Sequence, residues 1–318
     1  PKDVPNASLP YNPRNFNTPI YGLDTSDTLF TKRQLIALTT FCSLVKELQK
    51  SIESDAVLAG YDTDSKTIAE GGTGAKAYGE AVSVYLAFMI DQLSNHSSSL
   101  CGWHVNNEQL MNTFGRQAVP MVWDYAETNV FSKSTGSYQN LIDRMVKAIS
   151  HFTFEAIPGK VKQLPAQIDA GIRDIMVSTD PPYYDNIVYA DLSDYFYVWM
   201  RRSLAETYPD IFRTMLVPKS EELVATQYRF DGGKEEAKVF FEKGMYETCC
   251  HLYTYSTNDV PVTIYYAFKQ SEGDSDETTA STGWETMLSA IIAAGFCING
   301  TWPMRTEQTA ALKSASNT

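Results

Sequence analysis

The sequence predicts an α/β protein, on three observations. Ile175-Met176-Val177-Ser178-Thr179 is an apolar, β-branched run that breaks at once into Asp180-Pro181-Pro182-Tyr183. That pattern reads as a buried parallel strand with a loop at its C-terminal end, the edge where open α/β sheets place ligands. The run Val260-Pro261-Val262-Thr263-Ile264-Tyr265-Tyr266-Ala267-Phe268 reads as the next central strand. Around both, apolar residues recur at the three- and four-residue spacing of amphipathic helices.

The elements follow in order. Residues 1–29 carry Pro, Asn and aromatics without periodicity and read as an extended segment. Thr31 is an N-cap candidate. The stripe Leu35, Leu38, Phe41, Leu44, Val45 and Leu48 then predicts a helix running to about Leu58 and stopping at Gly60. Gly71-Gly72-Thr73-Gly74 precedes a second helix, from Ala75 to about Leu93. No strand leads into those glycines, so they read as a helix-entry loop and not as a phosphate or cofactor cradle. Trp103, Phe114 and Trp123 read as packing residues. Further helices are expected at 138–154, 191–206, 234–253 and 282–294, with short strands at 161–164, 174–179, 260–268 and 296–302.

The loop 180–183 carries the chemistry. A planar amine needs acceptors for its hydrogens and a flat surface to lie on. Asp180 offers a carboxylate, Pro181 its carbonyl oxygen, and Tyr183 a ring, on which stacking contributes about 1–3 kcal/mol per base. Pro181 and Pro182 fix φ and remove two backbone donors, which stiffens the turn. Two acceptors aimed at one NH₂ draw its lone pair out of conjugation and toward an electrophile, the geometry that methylation of an exocyclic amine requires. Tyr184, Asp185 and Asn186 follow closely enough to shape a base pocket.

Asp180-Pro181-Pro182-Tyr183 resembles the motif of amino-methyltransferases that act on adenine in DNA. The longer run through Asp185-Asn186-Ile187 and Tyr189-Ala190-Asp191-Leu192-Ser193-Asp194-Tyr195-Phe196-Tyr197-Val198-Trp199 is similar to one bacterial and archaeal family, the adenine-specific DNA methylases described as containing a zinc-ribbon domain. So are Leu9-Pro10-Tyr11-Asn12-Pro13-Arg14 and Thr301-Trp302-Pro303-Met304-Arg305.

The resemblance implies part of a Rossmann-like, S-adenosylmethionine-dependent methyltransferase sheet over residues 158–318, behind a mainly helical insertion or substrate-facing region over 1–157. It implies catalytic roles for Asp180, Pro181, Pro182 and Tyr183, with Tyr183 stacking on an adenine flipped out of DNA, and substrate contacts from Tyr184, Asp185 and Asn186. Asp169 is the candidate contact to S-adenosylmethionine. The family's glycine-bearing cofactor loop finds no match here. The expectation is therefore a truncated chain, with the cofactor region supplied upstream or by a partner subunit.

Related loops methylate RNA adenine, cytosine N4 or a protein amide. A non-catalytic nucleic-acid-binding module of a defence or restriction system is the reading from another class.

Composition bounds these expectations. The formal net charge of −12 argues against a uniformly basic DNA-binding surface. Arg201, Arg202, Arg213 and Lys219 form a local basic strip downstream of the motif. The five cysteines, odd in number and without a C-x-x-C pair, and the four unclustered histidines argue against a disulfide framework and a metal site. They fit reduced cysteines in the cytoplasm. No run of about 18 apolar residues is available to span a membrane.

Overall fold

The computed structural model describes residues 4–152, 157, 159–185, 187–266 and 277–304, without the side chains of 277–282. Among these residues it combines six α-helices with two small sheets. The chain divides into two compact units, one of Pro1–Pro158 with Tyr189–Pro218, the other of Gly159–Val188 with Lys219–Thr318.

The first unit is built on helices. α1 (Lys32–Leu58) starts where a capping box forms: the Thr31 hydroxyl accepts from the Gln34 N–H at 3.3 Å, and the Gln34 side chain accepts from the Thr31 N–H at 2.7 Å. α1 packs against α2 (Ala75–His96) and α4 (Tyr189–Leu204). Leu38, Cys42, Ile90 and Leu93 are fully buried, and Trp199 nearly so, meeting Phe30 edge-on at 5.4 Å. The apolar face of α4 explains a difference from the expected division. Trp199 and Leu204 bury among α1 and α2, so Tyr189–Pro218 groups with the helical unit and not with the residues around the motif.

Two of the glycines before α2, Gly72 and Gly74, are packed against the chain itself. A side chain at Gly72 or Gly74 would lie 2.4 Å from the Lys66 carbonyl oxygen or 2.7 Å from that of Asp62. The buried Glu80 carboxylate accepts from the Ile68 N–H at 2.6 Å, tying the same polar loop to α2. α3 (Tyr138–Ile149), capped by Ser137, ends at Ile149, and residues 153 and 154 of the expected helix lie outside the described residues. β1 (Trp103–His104) and β2 (Gln109–Leu110) form an antiparallel pair that periodicity did not signal. Phe114 packs on Tyr195 and Phe196, but Trp103 and Trp123 are exposed, Trp123 with its ring edge-on to Tyr21.

The second unit holds the motif. β3 (Ser178–Thr179) pairs in parallel with β4 (Thr263–Ile264). The ladder continues as a parallel bridge between Ile175 and Ser256 and as the Tyr265 N–H donating to the Thr179 carbonyl at 2.8 Å. α5 (Gly233–Tyr255) and α6 (Glu277–Ala293) pack together over Phe241, Met245, Cys249 and Met287.

Three strand expectations are corrected. The run before Asp180 is not buried on both faces, because Val177 points inward while Met176 is 71% exposed. Residues 161–164 form no strand. Val161, Lys162 and Gln163 are exposed, and the segment pairs with no strand among the described residues. Residues 296–302 form none either, because Phe296 is drawn into the end of α6 and onto Tyr253, its N–H donating to the Ile291 carbonyl at 3.2 Å. Residues 267 and 268 of the expected central strand lie outside the described residues.

Candidate functional site: an acid and three aromatic rings after a parallel strand

Asp180 is the first residue beyond β3, and its side chain is exposed. The Tyr183 hydroxyl donates to Asp180 Oδ1 at 2.7 Å, closing the four-residue turn over the two prolines. The Tyr183 ring meets Tyr266 edge-on, with centroids 5.5 Å apart. Tyr266 in turn lies parallel to Trp284 at 6.1 Å and donates its hydroxyl to the Gly283 carbonyl at 3.3 Å. Burial pushes the Tyr266 phenol up to about 12.

The parallel register explains the juxtaposition. Tyr265 binds the backbone of the last β3 residue, which sets Tyr266 beside the loop that β3 releases.

Tyr184 takes a different role from its neighbour. Its backbone is in the left-handed region at φ +47°, rare for an aromatic residue. Three contacts hold it there. Its ring meets Phe241 edge-on at 5.1 Å, its carbonyl accepts from the Ala225 N–H at 3.0 Å, and its Cβ lies close to Gly283, where an added side chain would approach it to 3.1 Å. Burial pushes its phenol up from the usual value. Tyr184 therefore anchors the loop to the core, while Tyr183 remains beside the acid. Pro181, Pro182 and Asp185 are half-buried, and Asn186 lies outside the described residues.

Asp169 is engaged elsewhere. Its two oxygens accept from Arg173 at 3.0 and 2.8 Å, and one also accepts from the Gly171 N–H at 2.8 Å. The Arg173 guanidinium, then the Gly171 N–H, hold this carboxyl well below the usual range. Arg173 also lies over the Tyr255 ring at 5.7 Å.

Away from the motif, Arg229 pairs with Glu222 at 2.6 Å, with both side chains about 15% exposed. Arg201 donates to the Phe212 carbonyl at 3.2 Å. Lys219 belongs to the second unit, while Arg201, Arg202 and Arg213 belong to the first.

The residues that sequence reasoning passed over are Tyr266 and Trp284. In the sequence Tyr266 reads only as part of a strand. The available signal was the position of Tyr265 and Tyr266 at the C-terminal end of that run, the same edge as Asp180.

Among the described residues no group of three or more His, Cys, Asp and Glu side chains stands ready to hold a metal ion, and no helix is long and apolar enough to cross a membrane. No family model, curated protein or solved structure matches the chain.

Proposed function

We propose that the second unit carries the amine-holding side of an amino-methyltransferase that acts on the N6 amine of adenine in DNA. The observation that carries the reading is the Asp180-Pro181-Pro182-Tyr183 turn at the C-terminal end of a parallel-paired strand, with an exposed carboxylate beside an aromatic ring. On this reading Asp180 accepts one hydrogen of the amine, the Pro181 carbonyl accepts the other, and the Tyr183 ring stacks on the base. Catalysis comes from orientation and from drawing the nitrogen lone pair out of conjugation, without a covalent enzyme intermediate. β3 and β4 are then two strands of the Rossmann-like sheet that the resemblance implies.

S-adenosylmethionine is the methyl donor of that reaction class. Neither place that the sequence offers for it fits. The loop before α2 is packed against the chain's own carbonyls at Gly72 and Gly74, and the Asp169 carboxylate is taken by Arg173 and Gly171. The proposal therefore assigns the described residues the base side of the reaction, with the donor held by another region of the same protein or by a partner subunit.

The net charge of −12 favours a second reading, a non-catalytic module that works within a nucleic-acid-processing assembly. Quantifying N6-methyladenine in the DNA of cells that express the full protein separates the two. The proposal expects methylation that disappears with Asp180→Ala while the protein stays folded. Methylation that is absent with the unaltered protein, or that survives in the Asp180→Ala protein, would refute it.

A further inference from the structure

The Tyr183 hydroxyl has no part in stacking a base, yet it donates to Asp180 Oδ1 at 2.7 Å. An exocyclic N–H would make the same bond to the same carboxylate. Resting on the proposed amine-holding role, we infer that the Tyr183 hydroxyl is an internal stand-in for the substrate amine, so that a base reaches Asp180 only by displacing it. The chain on both sides of Tyr183 is fixed. Thr179 is tied to Tyr265, and Tyr184 to Phe241 and Ala225. Tyr266, which receives the edge of the Tyr183 ring, is held by Gly283 and Trp284. Displacement is therefore a rotation of one side chain, not a rearrangement of the loop.

The consequence is selectivity. A base that carries an amine replaces the lost bond in kind. A base without one gains nothing by moving the hydroxyl and leaves it on Asp180. Tyr183→Phe keeps the ring and removes the competitor.

The test is calorimetric titration of the unaltered protein and Tyr183→Phe with two probes, deoxyadenosine and purine deoxyriboside, which lacks the 6-amino group. Deoxyadenosine is expected to bind the variant about two- to tenfold more tightly, the range of one net hydrogen bond. Purine deoxyriboside is expected to bind both proteins alike. Equal changes for the two probes, or weaker binding of deoxyadenosine to the variant, would overturn the inference.

A second measurement needs no ligand. In urea unfolding, Asp180→Ala and Tyr183→Phe are expected to be non-additive, with a coupling of about two- to tenfold in the folding equilibrium. Additive effects, with deoxyadenosine binding intact, would overturn the stand-in alone. Coupling without binding of either probe to either protein would overturn the amine-holding role together with the stand-in.

Discussion

Phe241 makes one of the three contacts that hold Tyr184, and with it the motif loop, in place, and its share is measurable. Its side chain is fully buried and meets Tyr184 edge-on, with ring centroids 5.1 Å apart and planes at 76°. Truncating it to Ala removes a buried aromatic from a close-packed cluster and is expected to cost about 3–5 kcal/mol. That is a large part of the roughly 5–15 kcal/mol that stabilises an ordinary domain. Phe241→Leu isolates the contact with the loop, because it keeps most of the volume and loses the ring pair. An edge-to-face pair contributes about 0.5–1.5 kcal/mol beyond its buried area. The assay is urea unfolding of Phe241→Leu, Tyr184→Leu and the double variant. The coupling expected is about 0.5–1.5 kcal/mol, with the denaturant dependence unchanged. Additivity within about 0.3 kcal/mol would refute the reasoning, because Tyr184 would then not hold the loop through Phe241, and its left-handed backbone would rest on Ala225 and Gly283 alone.

The remaining predictions concern charge and capping. Burial holds the Asp91 carboxyl well above its usual range, and its Oδ1 has no hydrogen-bond partner among the described residues. A carboxyl raised in this way opposes folding once the unfolded chain ionises, so Asp91→Asn is expected to raise the urea midpoint at pH 7.5. The gain should shrink toward zero below about pH 4, and a loss of stability at pH 7.5 would contradict the prediction.

Asp169 has the opposite sign. Its folded carboxyl is depressed by Arg173, so its contribution is fully present above the unfolded value of about 3.9 and is lost as pH falls through the folded one. Asp169→Asn should flatten the stability–pH curve below about pH 4 and leave its slope near neutrality unchanged, as read from denaturation midpoints across pH. Thr31→Ala removes one side of the capping box of α1 and is expected to cost about 1 kcal/mol in the same assay.

The helices were legible because their signals are local. Thr31 is a cap whatever surrounds it, and the Leu35–Leu38–Val45 stripe has one favourable way to bury. The loop after β3 was legible for the same reason, since two prolines and an acid after a β-branched run permit little else. The sheet was less so. Strand pairing depends on a neighbour that the segment itself does not encode, so residues 161–164 and 296–302 have strand composition and no ladder. Within the site, Asp180 and Tyr183 could be named from the motif. Tyr266 was signalled only by its place at the C-terminal end of the second β run, and what sets it beside the loop is the parallel register between 178–179 and 263–264, a long-range fact, while Trp284 reaches Tyr266 from α6 without any signal in the sequence. The inward turn of Tyr184 was equally hidden. Adjacent tyrosines look alike in sequence, and only the packing on Phe241 separates their roles.

The most direct test of the proposed amine-holding role is NMR titration of the protein, labelled at its tyrosine rings, with deoxyadenosine. Saturable shifts of the Tyr183 and Tyr266 resonances, lost in Asp180→Ala while the rest of the spectrum stays native, are the predicted result. Tyr183 resonances that do not move at saturating ligand, or that move equally with and without the Asp180 carboxylate, would contradict it.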